Sequence, residues 1–172
     1  PFSYDVLEPS QKTQHHLAKV ELKWFYSDHG NFTYRVGRQL NYRKEFDVRR
    51  NSNLPIVDLT LSTVDHQLEW KHPDWFKLNG IIGLQYFYQD NDNNPGTQTT
   101  PFIPNYNTGR YSAFVVESKR GGEDVIEAGV RIDLESNNVR GRETSQDIFR
   151  DEYTFTNLTS TIGYVKNFSK II

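Results

Sequence analysis

Leu17-Ala18-Lys19-Val20-Glu21-Leu22-Lys23-Trp24-Phe25-Tyr26 is the stretch that decides the fold. Ala18, Val20, Leu22, Trp24 and Tyr26 occupy every second position, with Lys19, Glu21 and Lys23 between them. A period of two separates these sets onto opposite faces of an extended strand, whereas a helix would mix them. After Asp28-His29-Gly30 the apolar row resumes as Phe32, Tyr34, Val36, Leu40 and Tyr42, interrupted only by Arg38. The alternate row is Thr33, Arg35, Gly37, Gln39, Asn41 and Arg43. That row needs water or a polar lumen, because burying unpartnered charges costs several kcal/mol each.

The same alternation predicts a third strand over about 56–70, a fourth over 76–89, a hairpin pairing 111–118 with 125–133, and a last strand over about 153–166. In the third, Val57, Leu59 and Leu61 hold odd positions while Val64, His66, Leu68 and Trp70 hold even ones. The slip near Thr63 predicts a bulge or bend. Residues 1–14 read as a loop, and the polar stretch 136–152 leaves room for a helical turn. The expectation is an all-β, antiparallel, up-and-down meander of about seven long strands.

Short reversals at 28–30, 71–74 and 119–122 alternate with long polar connections at 44–54, 90–109 and 135–152. This puts all short turns at one end of a sheet and all long loops at the other, as in an up-and-down transmembrane barrel. A bacterial barrel made of one chain has an even number of strands, at least eight. Seven strands therefore predict a partial segment of a large transmembrane β-barrel, residues 1–172 forming a single segment.

The 172 residues are 35% hydrophobic and 14% aromatic, which favours strands with one apolar face over an aliphatic globular core. Net charge is -2, from 20 basic and 22 acidic residues scattered along the chain, so no field or stripe favours nucleic acid. The chain has no cysteine, which excludes disulfides, thiolate metal sites and thiol nucleophiles. It has no methionine and begins Pro1-Phe2-Ser3, the expectation being a processed product or an excised fragment. No apolar run approaches the ~18 residues of a spanning helix, a test to which barrel strands are silent.

Four stretches in order carry a family resemblance. They are Gly37-Arg38-Gln39-Leu40-Asn41-Tyr42-Arg43-Lys44-Glu45-Phe46, Leu54-Pro55-Ile56-Val57-Asp58-Leu59-Thr60-Leu61-Ser62-Thr63, Phe102-Ile103-Pro104-Asn105-Tyr106, and Ile126-Glu127-Ala128-Gly129-Val130-Arg131-Ile132-Asp133. Together they resemble the barrel of TonB-dependent outer-membrane receptors over roughly residues 15–168. The resemblance implies a plugged barrel of the 22-stranded class in the bacterial outer membrane, which takes up a scarce nutrient such as an iron chelate, cobalamin or a glycan. Its implied partners are that small molecule, TonB acting through regions outside this segment, and outer-membrane lipid. No plug and no TonB-contacting segment is legible, so these residues are not expected to transport alone. As an isolated piece they are expected to self-associate, or to turn the lipid face inward.

Candidate chemistry is sparse, and neither catalysis nor a cofactor is expected. His15 and His16 are adjacent and point to opposite faces of a strand, so they cannot chelate one metal together. Glu127, Arg131 and Asp133 on one strand, and Lys19, Glu21 and Lys23 on another, read as ion-pairing groups of a lumen wall. No nucleophile elbow or phosphate loop is present, and Gly121-Gly122 reads as a hairpin turn. The acceptor patterns at Asn31, Asn157 and Asn167 read as coincidence. Trp24, Tyr26, Trp70, Trp75, Phe76, Tyr86 and Tyr88 cluster near strand ends, as membrane-interface girdles do. Ligand contacts are expected in or beside the long loops, at Arg43, Arg49, Tyr88, Phe102, Asn105 and Tyr106. The alternative reading is a soluble β-sandwich or small-barrel module that binds carbohydrate or an apolar ligand.

Overall fold

The computed structural model describes residues 9–47, 51–142, 147–166 and 168. Its strands are β1 (Ser10–Phe25), β2 (Asn31–Phe46), β3 (Val57–Lys71), β4 (Leu78–Asn93), β5 (Asn105–Gly121), β6 (Asp124–Arg142) and β7 (Ile148–Lys166). They form one antiparallel sheet in the order β1-β2-β3-β4-β5-β6-β7, each strand paired with its neighbours in sequence. This is the expected all-β meander of seven strands. The strands run to between 15 and 19 residues, far beyond the ~5–6 usual in globular sheets.

All six ladders keep their register from end to end. The bulge expected near Thr63 is therefore absent: Thr63 pairs with Gln39 and Gln89, with its neighbours in step on both sides. The slip in hydropathy is a change of face within a regular strand. Val57, Leu59 and Leu61 share the face of Thr63, Gln67 and Glu69, whereas Val64, His66, Leu68 and Trp70 share the other.

One rung joins Val20, Val36, His66, Tyr86, Tyr111 and Leu134 across six strands. Along β1, β3 and β5 this rung stands about 8, about 10 and between about 11 and 12 residues from the middle of the following short turn. With ~3.3 Å per residue and ~4.8 Å per strand, that drift inclines the strands to the line of the turns by about 30°.

Several element bounds differ from those expected. β1 begins at Ser10 rather than 17, and β6 continues to Arg142 rather than ending at Asp133. β4 and β5 extend into the presumed 90–109 loop, leaving 94–104 as the connection. In these extensions both faces are polar, so the alternation disappears while the backbone still pairs. The expected helical turn in 136–152 is absent from its described residues, which are strand apart from Asp147. The second short turn is centred on Phe76-Lys77, not on 71–74. Trp75 and Leu78 exchange backbone hydrogen bonds of 3.1 and 2.7 Å around it, so β4 begins at Leu78.

The sheet is a single layer. Val57 and Leu59 are the only buried apolar side chains among the described residues. Leu22, Trp24, Leu84, Leu158 and Ile162 are among many large apolar side chains left exposed. The apolar area that would stabilise a globular domain is thus displayed outward rather than sealed inside.

Candidate functional site

The register sorts the strands into two chemically distinct faces. One carries Ala18, Val20, Leu22 and Trp24 of β1, then Phe32, Tyr34 and Val36 of β2, and Val64, His66, Leu68 and Trp70 of β3. It continues through Ile82, Leu84 and Tyr86 of β4, Tyr111, Ala113 and Val115 of β5, the even positions from Ile126 to Leu134 of β6, and Leu158 and Ile162 of β7. On β6 this apolar band is about 27 Å long along the strand and about 23 Å tall after the tilt. That height approaches the ~25 Å lipid-facing band of outer-membrane barrels.

Aromatic rings border the band on its short-turn side. Trp24, Phe32 and Trp70 stack across three strands with centroids 6.0 Å apart at each step. Trp70 donates its indole N–H to the Tyr26 hydroxyl at 2.8 Å and meets Trp75 edge-on at 5.1 Å. A second row, Tyr34, His66, Tyr86 and Tyr111, crosses β2 to β5 higher on the same face, with centroid spacings of 6.1, 6.1 and 4.9 Å. His66 Nδ1 lies 2.7 Å from the Tyr34 hydroxyl, so this ring is hydrogen-bonded within the aromatic row.

The opposite face is a connected polar wall. Arg35 bridges Glu21 and Glu69, each at 2.7 Å, tying β1, β2 and β3 together. Gln85 donates to Asp65 at 2.9 Å, and its carbonyl accepts from Arg131 at 2.9 Å. Arg131 also reaches the Ser112 hydroxyl at 2.8 Å and the Asp133 carboxylate at 2.7 Å, and Ser112 donates to Asp133 at 2.5 Å. The rings of Phe114 and Phe87 lie beneath Arg131 and Arg110, at 5.9 and 4.9 Å. Gly83 makes the first of these possible, since a Cβ there would stand 2.2 Å from the Phe114 ring. Of the groups expected to pair, Glu21, Arg131 and Asp133 do so, whereas Lys19, Lys23 and Glu127 form no ion pair among the described residues; Arg35, Glu69, Asp65, Gln85 and Ser112 join the network through cross-strand pairing, which only the register reveals.

At the short-turn end His72 is 1% exposed. Its Nδ1 lies 2.7 Å from the Pro73 carbonyl and its Nε2 2.8 Å from the Glu117 carboxylate, while Trp75 stacks on the ring at 4.6 Å. Burial opposes a charge on this imidazole most strongly, but the Pro73 carbonyl and Glu117 outweigh it and hold its pKa above the ordinary histidine value. In the sequence His72 stands within Lys71-His72-Pro73-Asp74, which signals only a reversal, and its partner Glu117 lies 45 residues away.

At the long-loop end, 94–104 is held down on the 51–58 segment. Gln98 donates to the carbonyls of Asn51 and Leu54 at 2.6 and 2.8 Å, Thr99 to that of Ile56 at 2.7 Å, and Asn94 to Asp58 at 2.7 Å. Of the six expected ligand-contact residues, the five that are described do not converge here. Arg43 is on the polar face of β2, paired with Glu45, and Tyr106 is on that face of β5, bonded to Gln89 at 3.1 Å. Tyr88 and Asn105 lie on the opposite face, and Asn105 accepts from Asn93 at 2.7 Å. Phe102 is exposed beside a narrow cleft lined by Ile56, Leu59 and Pro101, and Arg49 lies outside the described residues. A larger cleft, about 400 Å³, opens between Asn105, Asn94 and Pro101 on one side and Arg140 and Arg142 on the other.

No family model, no curated protein and no solved structure matches this chain. Among the described residues no helix is long and apolar enough to cross a membrane, which does not bear on crossing by strands, and no three histidine or carboxylate groups gather as metal ligands.

Proposed function

We propose that this chain is part of the wall of a bacterial outer-membrane barrel that takes up a nutrient with energy supplied through TonB, and that it performs no catalysis. The observation that carries the membrane reading is the partition of faces: a continuous apolar band on one side of a single layer, and a hydrogen-bonded ionic wall on the other. A lipid-facing surface needs no second protein layer, because acyl chains solvate it, whereas in water the same band is a large exposed apolar patch. The tilt of about 30°, close to the 35–45° of such barrels, and strands longer than the ~9–11 residues of one crossing support the same reading. The receptor class rests on the four ordered sequence stretches, and the nutrient is an iron chelate, cobalamin or a glycan.

Strand direction supports a wall completed by other strands. β1 and β7 run the same way, because an even number of reversals separates them. A second copy laid head-to-tail against β7 would pair in parallel, and a two-fold copy would invert the long-loop end. An odd number of further antiparallel strands closes the ring without either defect.

Single cysteines placed at Leu84 and Val130, and at Gln85 and Thr159 on the other face, test the orientation in native membranes. Fluorophores at the first two should be quenched by lipids brominated in the acyl chain, and those at the second two by aqueous iodide. Aqueous quenching at all four positions would overturn the membrane reading in favour of a soluble binding module. Uptake of the candidate nutrients by the parent protein, with and without TonB, tests the transport reading separately.

A further inference from the structure

Two marks in the sequence have no part in the polar wall: Arg38, which interrupts the apolar row of β2, and His16 of β1. The register brings them together on the face that carries the apolar band, where His16 of β1 and His66 of β3 stand diagonal to Arg38 on either side. Diagonal neighbours on a sheet are ~7–8 Å apart, within reach of long side chains. Ala18 and Val64, directly opposite Arg38, are short, and the arginine is exposed. It makes no ion pair among the described residues. His66 Nδ1 lies 2.7 Å from the Tyr34 hydroxyl, so with that hydroxyl donating, the other ring nitrogen carries the N–H. His16 meets the Tyr42 ring edge-on at 6.3 Å.

No carboxylate occupies a position opposite, diagonal or next along the same face to any of the three. The acids of this face on β3 and β4, Asp58, Asp90 and Asp92, lie further towards the long loops, and Asp58 is held by Lys44 at 2.9 Å. Height matters as much as sign. His16, Arg38 and His66 stand between about 10 and 12 residues from the middle of the adjoining short turn, as does Leu134 at the top of the band on β6. The three are therefore level with the upper edge of the apolar band, with Val20, Val36 and Leu22 below them.

We propose that His16, Arg38 and His66 bind the phosphate of a membrane lipid in the leaflet on the long-loop side, its acyl chains lying on the apolar positions below; this rests on the membrane reading. A charge on the lipid-facing side is costly at the bilayer midplane and close to free at the interface, which is where the tilt and register put Arg38. A long basic side chain there keeps its stem on apolar surface and sends its head outward. The headgroup layer extends ~5–7 Å beyond the hydrocarbon, and the anions it holds are lipid phosphates. A guanidinium fork matches phosphate oxygens in paired hydrogen bonds, and each imidazole adds an N–H from its side. Exposure of an arginine without a protein partner, on the face that has no second protein layer, is then the free state of a headgroup contact.

The test uses the full chain in micelles of an uncharged detergent, titrated with dimyristoyl phosphatidic acid and read by native mass spectrometry. Dimyristoylglycerol, which lacks the phosphate, and glycerol 3-phosphate, which lacks the chains, are the comparisons. The expected result is saturable binding of phosphatidic acid, tighter than either comparison by about tenfold or more. Arg38→Gln should weaken it by about tenfold or more, and the His16→Gln, His66→Gln double variant by about fivefold. Arg120→Gln, at the other end of the sheet, should leave it unchanged. Equal retention of dimyristoylglycerol, equal binding by Arg38→Gln, or binding of glycerol 3-phosphate as tight as that of phosphatidic acid would overturn the proposal. If fluorophores at Leu84 and Val130 are quenched by brominated lipid while phosphatidic acid shows no preference, the membrane reading stands and this contact falls. If all four labels meet iodide while phosphatidic acid still binds through Arg38, the membrane reading falls and the contact stands.

Discussion

Replacing Glu117 with Gln should flatten the pH dependence of stability at the short-turn end. Both ring nitrogens of His72 face acceptors, at 2.7 and 2.8 Å. A neutral imidazole carries one N–H, so only the protonated ring satisfies both. Gly80 makes room for the carboxylate, since a Cβ there would lie 2.4 Å from Glu117 Oε2. Glutamine keeps the shape and one acceptor oxygen but removes the charge. A hydrogen bond to a charged group contributes roughly 1.5–3 kcal/mol and a neutral one roughly 1, and with a quarter of the Glu117 side chain exposed the lower end applies. The expected loss is about 1 kcal/mol at pH 6. The folded-state pKa of His72 lies above the ordinary 6.5, so its contribution is whole below about pH 6.5 and is lost as pH rises through the folded value. Urea unfolding in detergent micelles between pH 5.5 and 9 should therefore show the native chain losing stability towards alkaline pH, and Glu117→Gln converging with it near pH 9. A pH slope as steep in Glu117→Gln as in the native chain would refute the reasoning.

Phe76 and Lys77 sit at φ 52° and 64°, a left-handed pair that bulky residues resist, and Phe76 is 94% exposed. Replacing them with Asn-Gly should raise stability by about 1–2 kcal/mol, read from the same unfolding curves; no gain would mean the turn carries no strain. Gly83→Val should cost about 1–3 kcal/mol by driving Phe114 from beneath Arg131, and Phe114→Ala in the same chain should recover most of that loss in a double-mutant cycle. Leu84, 57% exposed in the middle of the apolar band, should cost about 2–4 kcal/mol as Leu84→Arg in lipid vesicles, whereas a change within about 0.5 kcal/mol would mean that the position faces water.

The strand count, their antiparallel order and the partition of faces were legible because the central strands alternate apolar and polar residues. From Ala18 to Trp24, or Ile126 to Leu134, hydropathy and register report the same fact. Legibility failed where the two separate. Beyond Leu134 and before Gly109 both faces are polar, so paired strand resembled loop. At Thr63 a change of face resembled a bulge, because sequence gives hydropathy but not which rung a residue occupies. The tip at Phe76-Lys77 lacked the expected Asn or Gly, while Pro73-Asp74 supplied a turn signal three residues early. The polar wall was visible as charged positions such as Glu21 and Arg131, but its links from Arg35 to Glu69 and from Gln85 to Arg131 depend on strands far apart in sequence. Of the loop-end residues, Arg43 and Tyr106 fall on one face and Tyr88 and Asn105 on the other, a division that residue type and neighbourhood in sequence do not reveal.

The unbroken ladders constrain how such a chain can change over generations. Inserting or deleting one residue within a strand would turn every later side chain of that strand to the wrong side, placing Arg131-like groups in the band and Leu84-like groups on the polar wall. Two-residue changes preserve the sides, and they disturb least in the doubly polar extensions of β5, β6 and β7. Lineages carrying this sheet should therefore differ in strand length by even steps, concentrated at the long-loop end, while the crossing portion keeps its length.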